Sequence, residues 1–270
     1  MLADQTTDPL LHAYIEQAVG YFAMFSGNLQ DACPHLEKAV EVYSERKVVL
    51  FEVLALLILG LTFEQLNETD RAIEYYERAL AITEAHGETM YRSYVLWALA
   101  IATWRQGDHD RAARLLKQSL RLGRKINDRL NAGMCLQALS WIAVDDKDVR
   151  RTAVLMGAAE AASRSVGGTS VVVPGMIVFQ DSCEREVRRA LGERAFGEAR
   201  GQGAALRFPA AVDYALGEQR THTRTSTTGP STQPTKRELE VAELIADGLT
   251  NKEIAARLVI SPRRGMSNIC

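Results

Sequence analysis

Few residues of this 270-residue chain are spaced for catalysis. The cysteines Cys33, Cys135, Cys183 and Cys270 stand far apart, with no C-x-x-C pair and no histidine set beside them. The first three therefore read as buried apolar side chains, not as a metal site or a disulfide frame. Carboxylates such as Glu74, Glu77 and Glu84 recur at helical spacing and read as solvated faces. No G-x-x-x-x-G-K-[ST] run occurs, and no nucleophile stands in a recognisable pattern with a base. The expectation is a protein without catalytic residues, metal or cofactor, and not an enzyme. What remains is a polar and basic stretch near the end, "GLTNKEIAARLVISPRRGMSNIC". Net charge is -2 and the pI is about 6.2. A contact with DNA must therefore come from a local patch of this kind and not from the field of the whole chain.

The elements that hold this stretch can be read from their caps. Thr235 and Glu238 form an S/T-x-x-E capping box, and Leu239, Val241, Ala242, Leu244 and Ile245 supply an apolar side to the helix behind it. Gly248 stops that helix in a left-handed conformation. Thr250 and Glu253 form a second box for a helix running to about Leu258. Ser261-Pro262 is an N-cap followed by proline at the first helical position. Two capped helices and a third helix start make a helix-turn-helix array.

The array closely resembles the LuxR-type (GerE-like) DNA-binding domain of bacterial transcription regulators. That pattern runs T-x-R-E-x-E-V and then G-x-[ST]-N-K-E-I-A-x-x-L-x-I-S-P-R. Thr235, Arg237, Glu238, Glu240 and Val241 match its first part. Gly248, Thr250 to Ala255, Leu258 and Ile260 to Arg263 match the second. The resemblance implies a transcription regulator whose helix from Ser261 lies in the major groove of double-stranded DNA. It makes Asn251, Lys252 and Arg257 candidates for backbone phosphates, and it places Ser261, Arg263 and Arg264 near the groove entrance.

After Arg263 the pattern breaks. The chain reads Arg264-Gly265-Met266-Ser267-Asn268-Ile269-Cys270 where the family continues with T-V or T-A, a polar pair, H-V and an apolar I-L. Gly265 replaces an inward apolar residue and costs a helix about 1 kcal/mol relative to alanine. Nine residues after Ser261 span at most about 13 Å of helix. The module is expected to be truncated in its recognition helix, with DNA binding impaired. Residues 265–270 can be encoded GGC-ATG-TCG-AAC-ATC-TGC. Another frame of the same bases reads His-Val-Glu-His-Leu, which resembles the missing family segment. A deletion with frameshift and a chance overlap of codons both account for it.

Upstream, residues 217–234, "GEQRTHTRTSTTGPSTQP", contain no aliphatic or aromatic side chain and are expected to form a flexible linker, with His222 a solvated residue of it. Residues 1–216 carry a repeat. Gly27, Ala32, Leu36 and Ala39 recur 40 residues later as Asn67, Ala72, Tyr76 and Ala79, and again as Gly107, Ala112, Leu116 and Ser119. Self-similarity at this period signals a helical solenoid of helix, turn and helix. With Gly20 and Gly60 seven residues before the turns, it resembles tetratricopeptide repeats. A fourth unit turns at residues 145–148 and ends at Gly167-Gly168; residues 169–179 then read as a loop, and helices break near Gly192 and Gly201. The region 149–216 resembles the segment that precedes the DNA-binding module in large LuxR-type regulators.

The fold expected is all-α: a tetratricopeptide-like solenoid with a helical end cap (1–216), a flexible linker (217–234) and a truncated helix-turn-helix module (235–270). Residues 48–63 are apolar but short and interrupted by Glu52, so they read as a buried helix and not a membrane span. The start "MLADQTTDPL" lacks the basic and apolar regions of a signal peptide, and a cytoplasmic protein is expected. The partners expected are double-stranded DNA, held weakly, and a protein or peptide in the repeat groove. The competing role is a repeat scaffold for such a partner with an inert terminal module.

Overall fold

A turn into the left-handed region recurs every twenty residues. Gly27, Lys47, Asn67, Gly87, Gly107, Asn127, Lys147 and Gly167 all have positive φ, between 54° and 88°. The computed structural model describes residues 8–168 and 177–218, together with Glu240, Leu244, Glu253 and Arg257. At each of these turns the amide one residue past the left-handed position reaches back five residues, as in Asn28 to Ala23, Val48 to Tyr43 and Asp108 to Thr103. This closure ends a helix and frees the chain to reverse. The next helix starts at once, and Asp108, Asp128 and Asp148 cap it by accepting from the amides of Arg111, Asn131 and Arg151.

The result is eight helices of 16 to 18 residues: α1 (Pro9–Phe25), α2 (Leu29–Arg46), α3 (Val49–Gln65), α4 (Thr69–Ala85), α5 (Met90–Arg105), α6 (His109–Lys125), α7 (Arg129–Asp145) and α8 (Val149–Arg164). Three more follow: α9 (Ile177–Leu191), α10 (Glu193–Ala204) and α11 (Phe208–Leu216). No strand occurs among the described residues. By contact the chain divides into two units, Met1–Arg220 and Thr221–Cys270. In the first, each helix from α2 to α10 packs on the one before it, and each odd-numbered helix up to α7 also touches the next odd one. The even-numbered helices α2, α4, α6 and α8 do not approach one another as closely, so the stack curves with its odd helices on the inner side.

The 40-residue register lies in the core. Ala32, Ala72 and Ala112, then Leu36, Tyr76 and Leu116, then Ala39, Ala79 and Ser119 are all fully buried. Gly20 lets α2 approach α1, because a Cβ there would lie 2.6 Å from the Leu36 side chain. Gly60 does the same for the Tyr76 ring at 2.3 Å. Small residues thus set how close two helices come, and the large residue opposite fills the gap. Residues 49–63 fall in α3, which is mostly buried although Leu50 and Phe51 near its start are exposed, and no described helix is long and apolar enough to cross a membrane. Cys135 and Cys183 are buried as expected, whereas Cys33 is only half-buried, on the outer part of α2 with its thiol 3.4 Å from the Leu29 carbonyl.

One expectation near the end of this unit is corrected. The helix does break at Gly192, whose φ is 77°, but it runs straight through Gly201 to Ala204. Gly201 keeps a helical backbone in open space, so nothing forces a break there. The break comes at Ala205–Arg207, ahead of Phe208-Pro209, where proline at the start of α11 is favourable. The glycine that matters is Gly203. Its missing Cβ would lie 1.9 Å from the Val154 carbonyl oxygen, and one on Gly157 would lie 2.0 Å from that of Arg200. Helices α8 and α10 therefore cross backbone against backbone. Of the loop expected at 169–179, residues 169–176 lie outside the described residues, and residues 177–179 instead form the first turn of α9.

The two kinds of glycine predict opposite mutational signs. Gly203→Ala and Gly157→Ala push a methyl into a carbonyl that cannot move alone, and each should lower stability by about 1–3 kcal/mol. Gly197→Ala, in the middle of α10 with nothing near its Cβ position, should raise it by up to about 1 kcal/mol. Urea midpoints followed by circular dichroism at 222 nm distinguish the signs.

Candidate functional site

In the terminal unit Glu240, Leu244, Glu253 and Arg257 are helical; Leu244 is half-buried, while Glu253 and Arg257 are exposed and one turn apart. Of the residues expected at DNA, Arg257 is thus on a helix surface. Asn251, Lys252, Ser261, Arg263 and Arg264 lie outside the described residues, as do Thr235, Glu238, Gly248 and the linker from 219 to 234.

The segment from which that linker departs is described in detail. Helix α11 ends at Gly217, left-handed with φ 72°. Arg151 of α8 donates to the carbonyls of Tyr214 and Ala215 at 3.4 and 3.0 Å, and its guanidinium lies 5.2 Å from the Tyr214 ring. A cation on the last carbonyls of a helix is favourable both as hydrogen bonding and against the helix dipole. Arg124 of α6 donates to Asp213 at 2.9 Å and to Glu218 at 3.2 Å, and Arg121 pairs with Glu218 at 3.5 Å. Three arginines from two helices thereby fix the last turn before the linker. Sequence reasoning missed them, because every partner is at least 63 residues away and arginines near helix ends signal nothing by themselves.

Charge on the repeats is spent in a similar way. Glu37–Arg71 and Glu77–Arg111 are the same ion pair one repeat apart, joining α2 to α4 and α4 to α6. Of the carboxylates read as solvated, Glu77 is therefore exposed but paired, and Glu84 pairs with Arg92. Two carboxylates of α3 are buried: Glu52 binds Arg78 at 2.6 Å, and Glu64 binds Arg105 at 2.9 Å. Two of the cysteines are kept as neutral thiols. Burial pushes the Cys135 thiol up to about 12 against the hydrogen bond with Ser119. Burial, with Glu186, Asp145 and Glu184 nearby, does the same for Cys183, also to about 12. No cluster of three or more potential metal ligands occurs among the described residues. At the far end of the stack Trp104, Trp141 and Phe179 form an aromatic group, with centroids 5.6 and 5.2 Å apart, around a recess of about 140 Å³. Asp145 accepts from the Trp104 indole at 3.1 Å.

Comparison with known families separates the two units. Residues 11–85 and 98–129 match tetratricopeptide repeats. Residues 234–264 match the bacterial regulatory proteins of the luxR family. The chain carries a luxR-type helix-turn-helix. Proteins of Mycobacterium bovis and of two strains of Mycobacterium tuberculosis that carry the name HTH-type transcriptional regulator are 39% identical over 77 residues, 28% of this chain. The chain spans only 8% of the length of these relatives. Among solved structures, BtubC (BKLC) from P. vanneervenii superposes with a TM-score of 0.55 at 16% identity, over 81% of this chain and 86% of that one. That likeness concerns the fold. Upstream of the luxR segment the repeats thus form a helical stack that ends in α11, pinned by Arg151 and Arg124.

Removing that pin should loosen one element alone. Charge-assisted hydrogen bonds contribute about 1.5–3 kcal/mol each. With Arg151→Ala, amide protection in α11 should fall about ten- to a hundredfold, while α3 to α6 keep theirs. Hydrogen exchange resolved by peptide measures this, and an unchanged α11 would contradict the role given to Arg151.

Proposed function

We propose that the chain is a DNA-binding transcription regulator whose terminal module, as it stands here, holds double-stranded DNA weakly and with little sequence preference. The observation that carries the reading is where the luxR match stops. It ends at residue 264, and Gly265 follows where the family pattern has an apolar residue. Asn251, Lys252 and Arg257 would serve backbone phosphates, and Ser261, Arg263 and Arg264 the groove entrance. Phosphate contacts position such a protein, while base-edge contacts of about 1–3 kcal/mol each select its site. A recognition helix that loses its inward side at Gly265 keeps the first kind and forfeits much of the second.

Electrostatics does not make up the difference. Within 235–270, Lys236, Arg237, Lys252, Arg257, Arg263 and Arg264 oppose Glu238, Glu240, Glu243, Asp247 and Glu253, six positive charges against five negative. In this reading 1–216 is the sensing unit, 217–234 the linker and 235–270 the DNA module, acting in the cytoplasm without catalysis. A protein or peptide is the ligand class suited to the curved inner side formed by the odd helices.

Competition between promoter fragments and random duplex at fixed salt tests the proposal. Binding should be weak, should show little preference between the two, and should fall steeply with salt, with Lys252→Ala reducing the slope of log K against log salt by about 0.9. Replacing residues 264–270 by the residues of the family's third helix should restore selectivity. Tight, selective binding by the 270-residue chain would refute the impairment, and no binding even at low salt would leave the scaffold role alone.

A further inference from the structure

Helix α6 differs in charge from the even-numbered helices before it. From Arg111 to Lys125 it holds six cations and no carboxylate. The repeat supplies an internal comparison at steps of 40 residues. Arg114 takes the place of Glu74, Lys117 that of Glu37 and Glu77, and Arg121 that of Glu41. Arg124 likewise replaces Glu84, and Lys125 replaces Glu45. All of these carboxylates are exposed, and so are the cations except Lys117, which is half-buried. At matching outward positions the stack is therefore acidic on α2 and α4 and basic on α6.

The fold uses only part of this charge. Arg111 pairs with Glu77, while Arg121 and Arg124 share Asp213 and Glu218 at the end of α11. Arg114, Lys117 and Lys125 make no ion pair among the described residues. The one carboxylate of α6, Asp110, lies a turn ahead of Arg114. Like charges three and four residues apart repel on a helix surface, and Lys117, Arg121 and Lys125 stand at that spacing. A run that weakens its own helix and ties down little else suits a polyanion.

Position adds a second argument. On α8 the matching residues Val154 and Gly157 are buried beneath α10, so α6 is the last even-numbered helix with an open outer face. Glu218, held by Arg121 and Arg124, is followed by residues 219–234 and then by the luxR match at 234–264. Residues 219–234 bring Arg220 and Arg224 and no carboxylate, so they cannot neutralise the face. From Arg114 to Lys125 the stripe runs about 16 Å. That is the axial length of about five base pairs of duplex. We propose that the outer face of α6 is a second, sequence-independent contact with double-stranded DNA, holding backbone phosphates through Arg114, Lys117 and Lys125. This rests on the reading of the chain as a DNA-binding protein and adds a contact outside the helix-turn-helix.

Binding of the full chain to a random duplex, measured across a range of salt, tests this. The triple variant Arg114→Gln, Lys117→Gln and Lys125→Gln should lower the slope of log K against log salt by about 2.7, or about 0.9 for each contact. Lys38→Gln, Arg46→Gln and Lys47→Gln, which remove the same charge from around α2, should leave the slope unchanged. Arg114→Lys, Lys117→Arg and Lys125→Arg should also leave it unchanged, because phosphates read charge. Circular dichroism confirms that all three variants fold. A triple variant with the wild-type slope, while Lys252→Ala lowers it, overturns the inference and leaves the proposed function standing. That result would assign the face to an acidic protein surface. A lowered slope in the triple variant beside an unchanged one in Lys252→Ala upholds the α6 contact and removes the role given to Lys252. An equal fall in the α2 control reduces the effect to net charge and overturns the inference. Absence of duplex binding even at low salt overturns it together with the DNA-binding reading.

Discussion

Between residues 27 and 167 the backbone turns left-handed once every twenty residues, and the rest of the stack depends on that interval. A fixed interval gives helices of nearly equal length. Equal lengths bring Ala32 and Leu36, Ala72 and Tyr76, and Ala112 and Leu116 to the same height in successive hairpins. Only then can Gly20 and Gly60 meet the bulk opposite them. Four of the eight turn residues are glycine, which takes this conformation without strain, and two are asparagine, which tolerates it. At Lys47 and Lys147 a side chain pays about 1–2 kcal/mol for it. The amide closures from Val48 and Asp148 help to offset that cost.

Within this frame, buried polar groups tie the helices to one register. The Ser119 hydroxyl donates to the Ser93 carbonyl at 2.7 Å and lies 3.1 Å from Asn131, so α5, α6 and α7 share one polar point inside an apolar core. Glu52 with Arg78 and Glu64 with Arg105 do likewise for α3, α4 and α5. A slip of one residue would leave such a group buried alone, at a cost of a few kcal/mol. Apolar packing alone tolerates slippage, and these groups do not.

The 40-residue period was legible because alanine and glycine positions repeat visibly, and the luxR-type motif near residue 250 because it is local. The 20-residue half-period was not, since Lys47 and Lys147 carry no turn signal in their type. Gly201 was misread as a breaker and Gly203 passed over: a glycine needed for close approach reveals itself only when the opposing backbone, here Val154, is known. The same holds for Arg151 and Arg124. Their role depends on where α11 comes to rest, which no local pattern encodes.

The contact of α8 with α10 has a mechanical meaning. Elsewhere in the stack side chains lie between helices and can adjust their rotamers, so a bend spreads over several hairpins. Where Gly157 and Gly203 bring carbonyls directly against the facing helix, there is no side chain to yield. This end behaves as a clamp and the hairpins ahead of it as a cantilever. A ligand that straightens or tightens the curve will deflect α1 and leave α11 nearly still.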